Sequence, residues 1–149
     1  MRRIALLRRT SERLEERVVA AAAQATGSER QEAPGLLATF VHALVDDPRI
    51  TRVTFGMASG ISESVERQRR TNRRWAAGFL VKLWDRYDGP PAEEQRAVRH
   101  SAAIGLIGGM FDLISDWLLD ADLTNQRQIE ALIDDITTFY ITVRRGLAT

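Results

Sequence analysis

Few side chains in this 149-residue sequence are of types that catalyse reactions or bind metals. The chain has no cysteine and two histidines, His42 and His100, so thiolate nucleophiles, thiolate zinc sites and a three-histidine site within one chain are excluded. No serine lies in the glycine pattern of a nucleophile elbow. We therefore expect no enzymatic activity and no cofactor. His100 should be exposed, and His42 should lie either at the core edge or in a ligand pocket.

Two carboxylates lie at helical spacing in the second half of the chain. Asp112 and Asp116 are four residues apart, and such a pair could bind a hard cation together with water. Because a third ligand is missing, we predict no metal site. A polar contact between two subunits is the alternative interpretation.

The polar residue that says most about a binding site is Asn72. It lies on the apolar face of a predicted helix, three residues before Trp75 and seven before Phe79. A buried amide without partners costs about 1–3 kcal/mol, so Asn72 should bond to a neighbouring helix end or face a ligand or water. Together with Asn72, large side chains should enclose a cavity of more than about 300 Å³ among the second, third, fourth and fifth helices, or else form solid core: Phe40, Leu44, Phe55, Met57, Trp75, Phe79, Met110 and Phe111.

Composition and charge place these residues in an ordinary globular protein. Apolar residues make up 44% and charged residues 28% of the chain, as in soluble domains. A formal net charge of +1 gives no global attraction to nucleic acid or membranes. No charge-free apolar run has the length of a membrane span, and the start MRRIALL is too short for a signal peptide. We expect a cytoplasmic protein without a membrane partner.

The apolar periodicity is helical throughout and predicts one all-α domain over residues 1–149, with about six helices. The predicted helices cover residues 3–25, 35–45, 49–58, 62–87, 92–119 and 125–146. A polar loop is predicted over residues 27–33, and Pro34 and Gly35 are taken as the break before the second helix.

The segment 102–114 has Asp112 as its single charged residue. A helix that is apolar all round must be covered all round, and each of its three glycines costs about 1 kcal/mol relative to alanine. Bulky residues should face the core: Ile104, Ile107, Phe111, Ile114 and Leu118. A second set, with two residues of the last helix, should form a homodimer interface: Ser101, Gly105, Gly108, Asp112, Ser115, Asp116, Ile136 and Tyr140. The alternative is a central helix buried within one chain.

Four stretches resemble one known family, the tetracycline-repressor (TetR) family of transcriptional regulators. They are LLATFVHALVDDPRITRVTF, ERQRRTNRRWAAGFL, SAAIGLIGGMFDLISDWLL and IEALIDDITTFYITVRRGL. The resemblance is to the regulatory domain of that family and lies in the order of helix lengths. It implies that the last two helices form a four-helix bundle with a second subunit. It also implies a small, mostly apolar effector in a pocket among the middle helices.

On this resemblance, residues 1–26 correspond to a connector helix and residues 35–147 to the regulatory core. The family's helix-turn-helix domain lies N-terminal to this region and has no counterpart in the sequence, so we expect DNA contact only through a domain not present in it. One internal segment, residues 56–74, offers an alternative DNA reader. Its residues Ser59 and Glu66 are polar where such a motif packs apolar side chains. The arginines that follow are better explained as a solvated helix face.

Overall fold

The chain is described by a computed structural model over residues 2–25, 27–56 and 63–147. These residues form six α-helices and no strand, which confirms the predicted all-α fold: α1 (Arg2–Gln24), α2 (Glu29–Val45), α3 (Pro48–Phe55), α4 (Glu63–Asp88), α5 (Glu93–Leu118) and α6 (Gln126–Leu147). The bounds of α1, α5 and α6 lie within one residue of those predicted. Ser62, the first residue of the helix predicted over residues 62–87, lies outside the described residues.

The second helix begins earlier than predicted. The Ser28 hydroxyl accepts a hydrogen bond from the Gln31 backbone N–H, and the Gln31 side chain accepts one from the Ser28 N–H. These reciprocal bonds satisfy two donors that a helix start leaves free. The helix therefore starts at Glu29 and continues through Pro34, and the prediction of a loop over residues 27–33 is wrong.

Local capping also fixes α3 against α2. Asp47 is the N-cap of α3, and Pro48 follows it at the first helical position. The Asp47 carboxylate accepts a 2.9 Å hydrogen bond from the Arg49 backbone N–H. The buried Thr51 hydroxyl donates to the Leu44 carbonyl at 2.6 Å, which ties α3 to the end of α2. The helix ends at Phe55, before its predicted end, because Gly56 adopts the left-handed conformation with φ 57°.

The core lies between α2, α4, α5 and α6, and α1 packs across α2, α3 and α4. Trp84 and Ile136 are fully buried at its centre. Helix α5 buries one face, including Leu106, Met110 and Ile114, and exposes the opposite one. Among the described helices, α5 also has the length and apolar composition that a membrane span would need.

Candidate ligand-binding site

A cavity runs between α1, α2 and α4, with α5 and α6 closing its floor. Its wall follows α4 from Arg69 to Tyr87, which is roughly 27 Å at the helical rise of 1.5 Å per residue. The cavity volume is about 110 Å³. The predicted volume of more than about 300 Å³ is wrong, because the cavity is smaller than the lower end of the range for ligand sites.

Most of the residues predicted for the pocket lie on this wall. Eight of the nine lie within the described residues, and seven of these line the cavity: Phe40, Leu44, Asn72, Trp75, Phe79, Met110 and Phe111. Phe55 is not among the residues lining the cavity. Its ring packs instead against Phe111, with the centroids 5.7 Å apart, so its placement on the wall is wrong. Met57 lies outside the described residues.

Aromatic rings form a firm apolar wall in the middle of the cavity. Trp75 and Phe79 stack with centroids 5.4 Å apart and planes 11° apart. Phe40 meets Phe111 edge to face at 5.7 Å. Such pairs are favourable arrangements of the ring quadrupoles. The stacking fixes the ring positions and leaves a preformed surface for an apolar group.

Helix α1 forms one whole side of the cavity. None of its residues was predicted to line the pocket. Leu7, Leu14 and Val18 line it from α1, together with Thr10 and Ser11. Their spacing is helical, and Leu7, Leu14 and Val18 belong to the apolar stripe visible in the sequence. That stripe shows that α1 is packed, but it does not identify what the helix packs against.

One end of the cavity, called here the arginine end, carries polar side chains of α3 and α4: Thr54, Arg69, Asn72 and Arg73. Arg69 donates through Nη2 to the Val53 carbonyl and through Nη1 to Glu66, both at 3.2 Å. Its Nε and the Thr54 hydroxyl are buried and have no partner in the described structure. The Asn72 oxygen accepts a 2.9 Å bond from Gln68.

The opposite end, called here the tyrosine end, is closed by a polar network. Trp84 Nε1 donates to the Tyr140 hydroxyl at 2.9 Å, and that hydroxyl donates to Glu29 at 2.6 Å. Arg144 donates to the same Glu29 oxygen at 2.8 Å and also to Asp88. Burial first, and then the bond to Glu29, raise the pKa of Tyr140 above its ordinary value. The carboxylate at this end is therefore matched by a phenol and a guanidinium of its own chain.

A single acidic side chain of α1, Glu15, lines the cavity. Its carboxylate accepts a 3.1 Å bond from the Ser11 hydroxyl. Desolvation is the largest influence on it and raises the pKa of Glu15, against the lowering effect of the Ser11 bond. The burial of this carboxyl thus disfavours its charged form.

The residues predicted for a dimer interface separate into two groups. Those of α5 lie on its outward face, where Ser101, Gly105, Asp112, Ser115 and Asp116 are exposed and Gly108 is half-buried. Those of α6 do not. Ile136 and Tyr140 are 0% and 4% exposed within the single chain, so their assignment to an interface is wrong. They lie on the inner stripe of α6, which one chain already covers.

The outward face of α5 is more apolar than its small residues suggested. Val98 and Leu119 extend the same stripe at its two ends, with 56% and 69% of their surface exposed. Ile104, predicted to face the core, is 48% exposed beside it, so that prediction is wrong. Ile107, Phe111 and Ile114 are buried as predicted, and Leu118 is half-buried.

The histidines and paired carboxylates form no reactive group in the described structure. His100 is exposed, as predicted. His42 is half-buried, and its Nδ1 lies 2.8 Å from an Asp46 oxygen, so it is satisfied at the core edge rather than on the cavity wall. Within residues 2–25, 27–56 and 63–147, no three His, Asp or Glu side chains converge as a metal site.

The segment weighed as a DNA reader is described only in part, because residues 57–62 lie outside the described ranges. In its second half, Arg67 lies 3.5 Å from Glu63 and Arg69 lies 3.2 Å from Glu66. Arg70 and Arg74 are exposed.

No family model, curated protein or solved structure matches this chain.

Proposed function

We propose that this chain is the regulatory domain of a TetR-like transcriptional regulator, cytoplasmic, homodimeric and responsive to a small, mostly apolar molecule. The observation that carries the proposal is the cavity between α1 and the α2–α4 pair, whose wall holds seven of the eight described residues that were selected from the sequence. A preformed apolar pocket with a few convergent polar groups is typical of ligand sites.

The position of α1 explains how ligand binding would become a signal. Because α1 forms one wall of the cavity, a ligand that fills the cavity contacts α1 and its neighbours at once. Ligand shifts the balance between two positions of α1 only if it binds them with different affinity. On the family resemblance, α1 corresponds to the connector to DNA-reading heads, and DNA contact belongs to that separate domain.

The outward face of α5 supports the dimer. A Cβ built on Gly105 or Gly108 would meet no atom of another described element within 4 Å. Glycine in a helix costs about 1 kcal/mol relative to alanine, and nothing within the described chain uses the space that these two glycines leave. A second copy of the helix crossing there would use it. The exposed apolar residues Val98 and Leu119 add area to the same face.

Helix α6 offers a compatible surface beside α5. Its outward stripe is small and polar at helical spacing: Ala131, Asp135, Thr138, Thr142 and Arg145 are exposed. Two α5–α6 pairs facing each other would form a four-helix bundle, and a stable interface of this kind buries more than about 1,200 Å². The proposal thus replaces Ile136 and Tyr140 by this outward stripe.

A thermal-shift titration tests the ligand pocket. Octanol and small aromatic alcohols should raise the melting temperature of the protein in a concentration-dependent manner, since a ligand that binds the folded state stabilises it. Ala76 lines the cavity and is partly buried; Ala76→Met should fill space there and remove the shift. A protein that melts at the same temperature with every probe, or an Ala76→Met variant that responds like the wild type, would contradict the pocket.

A further inference from the structure

We infer that the cavity takes an apolar molecule bearing a carboxylate, and that the carboxylate binds at the arginine end, between Thr54, Arg69, Asn72 and Arg73. The inference rests on the proposed function, because it names the chemical class of the ligand of the same pocket. Its support is the imbalance between hydrogen-bond donors and acceptors at the two ends of the cavity.

At the arginine end, donors lack acceptors. The Thr54 hydroxyl and Arg69 Nε are buried without a partner in the described structure. Asn72 uses its oxygen to accept from Gln68. Buried polar groups are normally satisfied. A ligand group that accepts hydrogen bonds would satisfy Arg69 Nε and the Thr54 hydroxyl together.

The charges at the arginine end also favour an anionic ligand group. Arg73 lies on the cavity wall with its guanidinium 5.2 Å from the centre of the Phe111 ring, and it forms no ion pair in the described part of the chain. Arg69 is 14% exposed, and its one acidic neighbour is Glu66, which is 57% exposed. Exposed pairs of this kind are weak. Two guanidinium groups thus meet one solvated carboxylate, and the end is net positive.

An ionised carboxylate fits both requirements. It only accepts hydrogen bonds, and its bonds to guanidinium groups are stronger than bonds between neutral groups. An alcohol or an amine would add a further donor where donors are already in excess. The stacked Trp75 and Phe79 lie next along α4 and would take the apolar part of the ligand.

The tyrosine end does not favour a ligand carboxylate, and neither the tyrosine end nor Glu15 favours a cationic ligand. At the tyrosine end, Glu29 already accepts from Tyr140 and Arg144, so its charge is matched within the chain. Glu15 belongs to α1 and accepts from Ser11, and burial raises its pKa. A free anion site therefore exists at one end alone of the described cavity.

Calorimetric titration with three probes of equal chain length tests the inference: octanoate, octanol and octylamine at neutral pH. Octanoate should bind at least about tenfold more tightly than octanol, a difference of about 1.4 kcal/mol, and octylamine should bind most weakly. Equal affinities for octanoate and octanol, or tightest binding of octylamine, would overturn the carboxylate while leaving the pocket in place. Absence of binding by all three would overturn the pocket as well.

Substitutions locate the carboxylate. Arg73→Gln and Thr54→Val should each reduce the octanoate-to-octanol preference about threefold or more, and neither substitution removes a hydrogen bond between the described helices. Arg74→Gln is the matched control, because Arg74 is exposed, as Arg73 is, but does not line the cavity; it should leave the preference unchanged. A preference that survives in both Arg73→Gln and Thr54→Val, or that Arg74→Gln lowers equally, would overturn the assignment to this end.

Discussion

Phe139 of α6 lies directly over Gly109 of α5, so that a Cβ added to Gly109 would come within 2.7 Å of the phenyl ring. The close approach of α5 and α6 within one chain thus depends on this glycine. Gly109→Ala should destabilise the folded chain by about 1–3 kcal/mol through overpacking. Gly105→Ala, where a Cβ meets open space, should instead stabilise α5 by up to about 1 kcal/mol. Urea unfolding of the two variants under identical conditions makes the comparison.

The same two positions separate folding from assembly. Gly105→Leu should weaken the homodimer by at least about tenfold in dissociation constant, because a bulky side chain blocks the approach of a second α5. Its helix content and melting cooperativity should be those of the wild type. Sedimentation equilibrium measures the dissociation constant. A wild-type chain that is monomeric at micromolar concentration would refute the dimer, and so would a Gly105→Leu dimer of unchanged affinity.

Two tryptophans on α4 distinguish a cavity wall from solid core. Trp84 is fully buried, and Trp84→Ala should cost about 3–5 kcal/mol of the free energy of unfolding. Trp75 is half-buried beside the cavity, and Trp75→Ala should cost clearly less, about 1–2 kcal/mol, while lowering ligand affinity. Denaturant unfolding with and without octanol measures both. Equal costs for the two variants would show that Trp75 packs as core.

The raised pKa of Tyr140 predicts alkaline destabilisation. Because the folded state holds the phenol proton more tightly than the unfolded state, the stabilisation is fully present below the ordinary tyrosine pKa of 10 and is lost as the pH rises beyond it. One proton contributes a slope of up to about 1.4 kcal/mol per pH unit. Tyr140→Phe should reduce this slope between pH 10 and 11 although it lowers stability at neutral pH. Tyr87, whose pKa is also raised, should account for part of the remaining slope.

A pH titration of unfolding free energy, with Tyr87→Phe as the matched variant, checks this account. Tyr87 donates a short hydrogen bond to Glu32 outside the Trp84–Tyr140–Glu29 network. Its removal should therefore reduce the slope less than Tyr140→Phe does. An alkaline slope identical in the wild type and in Tyr140→Phe would refute the assignment.

Local sequence signals predicted the helices because each signal acts over a few residues. Asp47 before Pro48 marks the start of α3, whereas the end of the helix at Gly56 was not predicted. The early start of α2 was missed because Pro34 was read as a break, whereas the reciprocal Ser28–Gln31 bonds stabilise the first turn. The two signals compete, and the capping box prevails because it satisfies donors in the first turn, before Pro34.

The site was predictable as a set of side chains on helix faces but not as a cavity. The apolar face of α4 selected Asn72, Trp75 and Phe79, and they do share one wall. The bond from Tyr140 to Glu29 joins residues 111 positions apart, and no spacing rule connects them. For the same reason, Tyr140 was assigned to an outer surface although its stripe belongs to the core. Which helix covers a stripe depends on tertiary packing.

The central claim is that ligand in the cavity acts on α1, and amide hydrogen exchange measures this most directly. With saturating octanoate, the amides of residues 7–18 in α1 should exchange more slowly, as should those of the facing parts of α2 and α4. Residues 126–135 of α6, which do not line the cavity, should exchange at an unchanged rate and serve as the internal control. Saturating ligand that leaves exchange in α1 unchanged would contradict the proposed coupling.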